Sequence, residues 1–197
     1  MSLRHETHRA ALCKRFIRLE CRAFSLKQQR CPHCAKHGTL NRHSRLSGKG
    51  FGALCERLAR GQRVYCSNRA RKRGCGRTFS IYLCTILPRH GVDAPALSGL
   101  LDSLLEGFSL KNAAESLRRP FALETFYQLR KRLRLRMGAL RVQLLRATGP
   151  PPSCESTDPF MHTLAHLRIA FGAAVPGGKA HGMCAWFQMC FQRPFLG

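Results

Sequence analysis

Acidic residues are scarce in this sequence: the 197 residues contain 10 Asp and Glu against 34 Lys and Arg. Enzymes that cleave nucleic acid with two metal ions hold those ions with carboxylates, and the few acids here are scattered along the chain. The scarcity therefore disfavours a nuclease core. It also leaves a formal net charge of +24. Self-repulsion at this charge calls for a polyanionic partner, of which nucleic acid is the leading candidate.

Long apolar runs and an export signal are also missing. No apolar run approaches the ~18 residues of a membrane-spanning helix. The opening residues, MSLRHETHRAALCKRF, contain neither an apolar signal core nor a cleavage site. We therefore expect no membrane partner and a cytoplasmic, nucleoid-associated location. Hydrophobic residues still make up 44% of the sequence, which is enough for folded cores and excludes a disordered basic tail.

The cysteines favour metal ligation. Eleven is an odd number, and without an export signal a disulfide framework is not expected. A CPHC turn presents two thiolates to one ion, and a second cysteine pair closes the tetrahedron. We predict one structural Zn²⁺ in a closed, non-catalytic site, with these ligands: Cys31, Cys34, Cys66 and Cys75.

The second cysteine pair is irregular, which leaves one ligand open. Eight residues, SNRARKRG, separate Cys66 from Cys75, and we interpret them as a basic loop. The side chains that could replace Cys66 are His33, His37, His43 and Cys55. A redox role for the CPHC turn is disfavoured, because a glycine-rich basic stretch follows it where a redox motif has a helix.

Apolar spacing and composition divide the chain into four segments. Leu12, Phe16, Leu19 and Ala23 predict a basic amphipathic helix within residues 1–30. Residues 31–82 form the zinc ribbon, with strands near 62–65 and 78–83. Residues 83–149 form a helix-turn-helix domain with a long third helix, and residues 150–197 a linker and an apolar C-terminal segment. The predicted fold class is mainly α with a small β zinc ribbon, followed by a three-helix domain and a short helical end.

Residues 109–140 have the pattern of a helix-turn-helix. Ser109 caps the first helix, and Ala113 and Ala114 allow the recognition helix to cross it closely. Residues 124–130 then begin the recognition helix. The alternative is an ordinary three-helix bundle with a solvated basic face. The candidate DNA contacts lie in the basic loop, in the turn and on the long helix: Arg71, Lys72, Arg73, Arg118, Arg119, Thr125, Gln128, Arg130, Lys131 and Arg134.

An apolar stripe runs along the long helix, and it has two interpretations. It packs on the preceding helices, or it forms a coiled-coil seam for a homodimer. We favour packing for its first half and leave the half from Met137 onward open. A further helix is expected to begin at Asp158, with Pro159 in its first turn. The stripe comprises Phe126, Leu129, Leu133, Met137, Leu140 and Leu144.

The segments CPHC, GQRVYCS and GCGRTFSIY, followed by AAESL and ETFYQLRKR, resemble the N-terminal DNA-binding part of insertion-sequence transposases. They also resemble small transposase-associated zinc-ribbon proteins. The resemblance covers residues 31–135. It implies zinc ligation by the four cysteines and a recognition helix that begins at residues 125–130.

The chain departs from that family where a catalytic domain would stand. Such a domain needs three spaced carboxylates, whereas the acids after residue 149 are Glu155 and Asp158. The resemblance therefore implies a double-stranded DNA-binding protein without enzymatic activity, with a separate catalytic transposase subunit as a candidate partner. The alternative is an RNA- or single-strand-binding protein that stacks bases on the ribbon aromatics Phe51, Tyr65, Phe79 and Tyr82.

Overall fold

The computed structural model describes residues 14–17, 25–49, 57–70, 73–117, 121–172 and 181–196. The first half of the chain contributes a sheet of four strands: β1 (Lys14–Ile17), β2 (Leu40–Lys49), β3 (Arg57–Cys66) and β4 (Thr78–Leu83). Five helices follow: α1 (Ala94–Leu105), α2 (Leu110–Ser116), α3 (Leu123–Thr148), α4 (Pro159–Phe171) and α5 (Gly182–Phe191). A small β part with a larger helical part is the coarse architecture that the sequence predicts.

The sheet has the strand order β1-β4-β3-β2. The pairs β2–β3 and β3–β4 are antiparallel, and β1 joins β4 in parallel. The strand predictions near 62–65 and 78–83 are confirmed, although β3 begins earlier than predicted. Gly61 permits the close approach of β3 to β4: its φ is +148°, and a Cβ there would lie 2.0 Å from the carbonyl oxygen of Ile81. No larger residue fits this position without moving a strand.

The prediction of an N-terminal helix is wrong at Lys14–Ile17, which form β1. Phe and Ile favour strands as well as apolar helix positions, and the edge of β4 offers backbone hydrogen-bond partners. These partners belong to residues more than 60 positions further along the chain. The local spacing of apolar residues therefore could not predict the pairing. Leu26–Gln28 form a short 3₁₀ turn, and the rest of the predicted helix lies outside the described residues.

Side-chain caps start three of the helices. Asp93, Ser109 and Asp158 accept backbone N–H bonds from Ala96, Asn112 and Phe160 at 2.7, 3.2 and 2.8 Å. Each cap satisfies one of the N–H groups that a helix start leaves unpaired. The helix starts expected at Ser109 and Asp158 are thus confirmed.

The apolar stripe of α3 faces the chain's own helical core. All six of its members are buried, and the second half is as buried as the first: Met137 is 7% exposed, and Leu140 and Leu144 are 0% exposed. The stripe packs with residues of the other four helices in one cluster. It is therefore unavailable as a dimer seam, and a homodimer through α3 would have to use another face of the helix.

The buried side chain of Gln188 ties α5 to the segment between β4 and α1. Its Nε2 donates to the carbonyl oxygens of Cys84 and Ile86 at 2.7 and 3.0 Å, and its Oε1 accepts from the N–H of Phe195 at 3.1 Å. Each bond satisfies a buried backbone group, and an unpaired group there would cost about 1–3 kcal/mol. The C-terminal segment is thus an integral part of the helical core.

Candidate metal centre and basic surfaces

Four cysteine thiols converge at one end of the sheet. The Sγ atoms of Cys31, Cys34, Cys66 and Cys75 all lie within 4.8 Å of one another. Two pairs, Cys31–Cys75 and Cys34–Cys66, are 3.7 Å apart. Thiolates around one tetrahedral ion, with metal–sulfur bonds of ~2.3 Å, lie ~3.8 Å apart. The spacing thus matches a single metal site, and it is far too long for a disulfide bond of ~2.05 Å.

A tight turn holds the first ligand pair. The N–H of Ala35 donates to the carbonyl of Cys31 at 2.8 Å, and the N–H of Cys31 donates to Lys36 at 3.0 Å. Ala35 takes a left-handed conformation with φ of 59°, which closes the turn. The N–H of His33 points at the Sγ of Cys31, 3.4 Å away. Such an N–H stabilises a thiolate and orients it toward a metal.

The second ligand pair brackets the basic loop, and backbone bonds close the base of that loop. The N–H of Gly74 donates to the carbonyl of Ser67 at 2.8 Å, and the N–H of Ser67 donates to Thr39 at the same distance. The N–H of Cys75 lies 3.3 Å from the Sγ of Cys66. The eight-residue insertion therefore leaves the ligand geometry intact, because its ends are pinned together next to the site.

Glycine is required at the base of this loop. A Cβ on Gly74 would lie 2.4 Å from the Sγ of Cys66 and 2.3 Å from the carbonyl oxygen of Ser67. Both distances are shorter than any tolerable carbon contact. Glycine is thus required at position 74 because the loop backbone passes close to a ligand sulfur. The cysteine spacing alone does not predict this requirement.

The thiols differ in how readily they ionise. Burial raises the pKa of Cys31 to about 12. Burial also acts on Cys66, but contacts with the hydroxyl of Thr39 and the N–H of Cys75 outweigh it and lower the pKa of Cys66 to about 7. Thr39 Oγ1 lies 3.1 Å from this sulfur. Sequence reasoning missed Thr39, which is one of the few buried polar side chains in the ribbon.

The three histidines that could replace Cys66 have other partners and are not part of the cluster. The ring of His33 meets the edge of Phe79, the Nε2 of His37 accepts from Arg30 at 2.6 Å, and His43 packs against Tyr65. Cys55 is outside the described residues. Among the described alternatives, the cluster includes Cys66 and none of the histidines.

Four of the predicted DNA contacts can be placed on or near exposed surface. Thr125 is half-buried near the start of α3, and Gln128 and Lys131 are exposed. The amide of Gln128 donates to the carboxylate of Glu124 at 2.7 Å. Arg73 is exposed, and its carbonyl accepts from Lys36 Nζ at 2.6 Å. The candidates outside the described residues are Arg71, Lys72, Arg118 and Arg119.

The remaining two candidates, Arg130 and Arg134, lie against α4. Arg134 forms a 3.0 Å ion pair with Asp158 and lies over the ring of Phe160, 5.0 Å from its centre. Arg130 lies over the same ring at 5.9 Å. The structure therefore gives both guanidinium groups partners within the chain. The helical spacing of cations in the sequence is the same whether their side chains contact another helix or solvent, so the sequence did not predict these contacts.

A basic cleft not foreseen from the sequence lies between residues 89–92 and the first half of α3. Arg89, His90 and Arg132 line it together with Thr125 and Gln128, and its volume is about 510 Å³. Its members come from segments some forty residues apart. Their proximity depends on the packing of the helices, so no local sequence signal indicates it.

No family model, curated protein or solved structure matches the chain. Within the described ranges, no helix is both long and apolar enough to cross a membrane.

A cysteine variant tests the metal centre. We expect about one metal ion per chain, and we expect Cys34→Ser to lose it, because three thiolates and a hydroxyl bind far more weakly than four thiolates. Elemental analysis of the purified proteins measures both the content and the identity of the metal. The control is Cys154→Ser, which removes a cysteine outside the cluster. A metal-free protein with an unchanged fold, or equal metal retention in Cys34→Ser, would contradict the site.

A glycine variant tests the loop base. Gly74→Ala should destabilise the metal-bound protein by about 1–3 kcal/mol, because the new methyl group overpacks against a ligand sulfur and a carbonyl. Gly138→Ala is the matched control: nothing lies within 4 Å of a Cβ at this position of α3, and alanine there should stabilise the helix by about 0.5–1 kcal/mol. Urea unfolding and chelator competition measure both effects. Equal behaviour of the two variants would show that the loop adjusts freely.

Proposed function

We propose that the protein binds double-stranded DNA through a structural zinc ribbon and a helix-turn-helix. The observation that carries this proposal is the charge of the ribbon: every charged side chain in its described residues, 25–49, 57–70 and 73–83, is a cation. Several of these cations are exposed on β2, on β3 and around the loop, among them Arg42, Arg45, Arg63, Arg69 and Arg77. A surface of one sign that includes no carboxylate is suited to a phosphate backbone.

Zinc is the proposed metal. Four thiolates in tetrahedral spacing suit Zn²⁺, whereas magnesium, calcium and manganese prefer oxygen ligands. All four positions are filled by protein, so the ion would supply folding energy and fix the two turns. The cations of the ribbon would then already be held in one arrangement in the free protein. This preorganisation lowers the entropy cost of binding DNA.

The proposed helix-turn-helix consists of α2 and α3. Ala113 and Ala114 are buried where α2 packs in the helical core, and Phe126 and Leu129 anchor α3 from its inner face. This leaves Gln128 and Lys131 on the outer face of α3. In the proposed complex, Gln128 reads a base edge, while Lys131 and the loop cations Arg71, Lys72 and Arg73 contact phosphates.

The placement of the ribbon aromatics supports duplex over single-stranded nucleic acid. Phe79 is 5% exposed and belongs to the ribbon core, and Tyr82 packs against the helical core. Tyr65 lies edge-on to His43. The described rings are therefore not free to stack on unpaired bases, which is the contact that single-strand binders use. Phe51 lies outside the described residues.

We further propose that catalysis belongs to a partner. The ten carboxylates of the chain are dispersed, and a transposase nuclease core needs three that hold metal ions together. A catalytic transposase subunit is the proposed partner, with this chain supplying DNA binding.

Salt dependence and competition test the DNA proposal. Duplex affinity should fall steeply with salt, with a log–log slope of about −0.9 for each phosphate neutralised. Structured RNA and single strands should compete poorly with the duplex. Fluorescence anisotropy titrations at several salt concentrations measure both. An affinity that hardly changes with salt, or one that is higher for RNA, would overturn the proposal.

A glutamine variant tests the recognition helix. Gln128→Ala should cost roughly 1–3 kcal/mol on a duplex selected from a random pool, and it should leave scrambled DNA nearly unaffected, because base contacts carry specificity and phosphate contacts do not. Gln143→Ala, which changes a glutamine near the C-terminal end of the same helix, is the control. If Gln128→Ala weakens binding to both duplexes equally, or to neither, α2 and α3 belong to an ordinary helical bundle and do not form a helix-turn-helix that recognises bases.

A further inference from the structure

The cleft beside the first half of α3 concentrates positive charge from separate parts of the fold. Arg89 comes from the turn before α1, and Arg132 comes from α3; both side chains are exposed and line the cleft. Arg60 of β3 lies behind them, where its Nη2 donates to the carbonyl of His90 at 3.2 Å. No carboxylate of the described residues forms an ion pair with any of these three arginines.

The ring of His90 lies beside the guanidinium group of Arg132 as a neutral hydrogen-bonding group. Burial, and then the charge of Arg132, lowers its pKa below the ordinary value. Arg132 Nη1 lies 3.3 Å from the Nδ1 of the ring. Because a guanidinium can only donate, Nδ1 accepts and the proton is on Nε2. The ring therefore offers an N–H donor, whereas a charged imidazolium would be repelled by Arg132.

One acidic side chain lines the cleft, and it already has a partner. The Glu124 carboxylate accepts from the amide of Gln128 at 2.7 Å. It is thus engaged along α3 and not paired with Arg89 or Arg132. The Thr125 hydroxyl lies on the same wall and adds a further neutral donor.

The backbone of Arg89 is held in an unfavourable conformation. Its φ is +71°, in the left-handed region that glycine and asparagine adopt far more readily than arginine. Strain of this kind persists where the surrounding structure imposes it, and it is common at ligand sites. Here it accompanies a guanidinium that lines the cleft and has no carboxylate partner among the described residues.

We propose that this cleft is a phosphate-binding site, in which the guanidinium groups of Arg89 and Arg132 and the Nε2–H of His90 hold the phosphate oxygens. Arg60 fixes the position of His90 from behind. Guanidinium groups bind phosphate with paired, charge-assisted hydrogen bonds. The phosphate comes either from a nucleic-acid backbone, in which case the site extends the DNA proposal above, or from a free phosphate compound.

Three variants of equal charge change test the site. Arg89→Gly removes a guanidinium and also relieves the left-handed strain, so it is expected to fold well. Arg132→Gln removes the second guanidinium. Arg146→Gln is the control, because Arg146 is an exposed arginine in the last turn of α3 and is not among the residues that line the cleft. Calorimetry with inorganic pyrophosphate and anisotropy with a duplex are the two arms.

We expect Arg89→Gly and Arg132→Gln each to weaken pyrophosphate binding about tenfold or more relative to Arg146→Gln, since each removes charged hydrogen bonds. If the phosphate belongs to DNA, the same two variants also weaken duplex binding and reduce the salt slope by about one unit. An effect on pyrophosphate alone assigns the site to a free phosphate compound.

The two proposals fail in different ways. If the unmodified protein does not bind duplex but the cleft variants lose pyrophosphate, the DNA proposal is wrong and the phosphate site stands. If the protein binds duplex but all three variants behave alike in both arms, the phosphate site is wrong and the DNA proposal stands.

Discussion

The convergence of four cysteine sulfurs is the constraint on which the β part of the fold depends. Their Sγ atoms lie within 4.8 Å of one another, so four thiolates without a cation would repel strongly. The hydrophobic cluster beneath them is small, with Leu26, Leu40, Val64, Phe79 and Ile81 as its apolar members. The binding free energy of a structural zinc ion, about 10–16 kcal/mol in small peptides, is comparable to the whole stability of an ordinary domain. A bound metal would therefore dominate the folding of this region.

The sheet and the helices are joined through the segment between β4 and α1. Cys84 and Leu87 in this segment belong to the helical core, and Gln188 of α5 holds the carbonyls of Cys84 and Ile86. The last helix of the chain is thus bonded to the point where the sheet ends. This arrangement fixes residues 89–92 against α3, and the geometry of the basic cleft follows from it.

Local chemistry explains which features the sequence could predict. The CPHC turn and the caps at Ser109 and Asp158 act within a few residues, so their signals are visible in the sequence. Gly74 could have been noticed next to a ligand, but the contact that requires glycine comes from the loop base folding back onto Cys66. Features that depend on contacts between distant segments had no local signal in the sequence.

Three features that sequence reasoning misjudged or missed depend on contacts between distant segments of the chain. Lys14–Ile17 form a strand because β4 supplies a partner edge. Arg134 lies against Phe160 because α4 packs on α3. The cleft forms because residues 89–92 meet the start of α3. Each depends on contacts that helical or strand periodicity does not encode, and only the assembled fold shows them.

The arginines of α3 divide according to what the helix packs against. Arg130, Arg134 and Arg141 are held by α4, where Arg141 Nε donates to Thr163 at 2.7 Å. Lys131 and Arg132 are exposed. The cysteine cluster and the cleft are connected through β3, because this strand carries Cys66 at one end and Arg60 near the other, and Arg60 donates to the carbonyl of His90. An ion at the cysteine cluster would therefore stabilise one end of the strand whose other end holds His90.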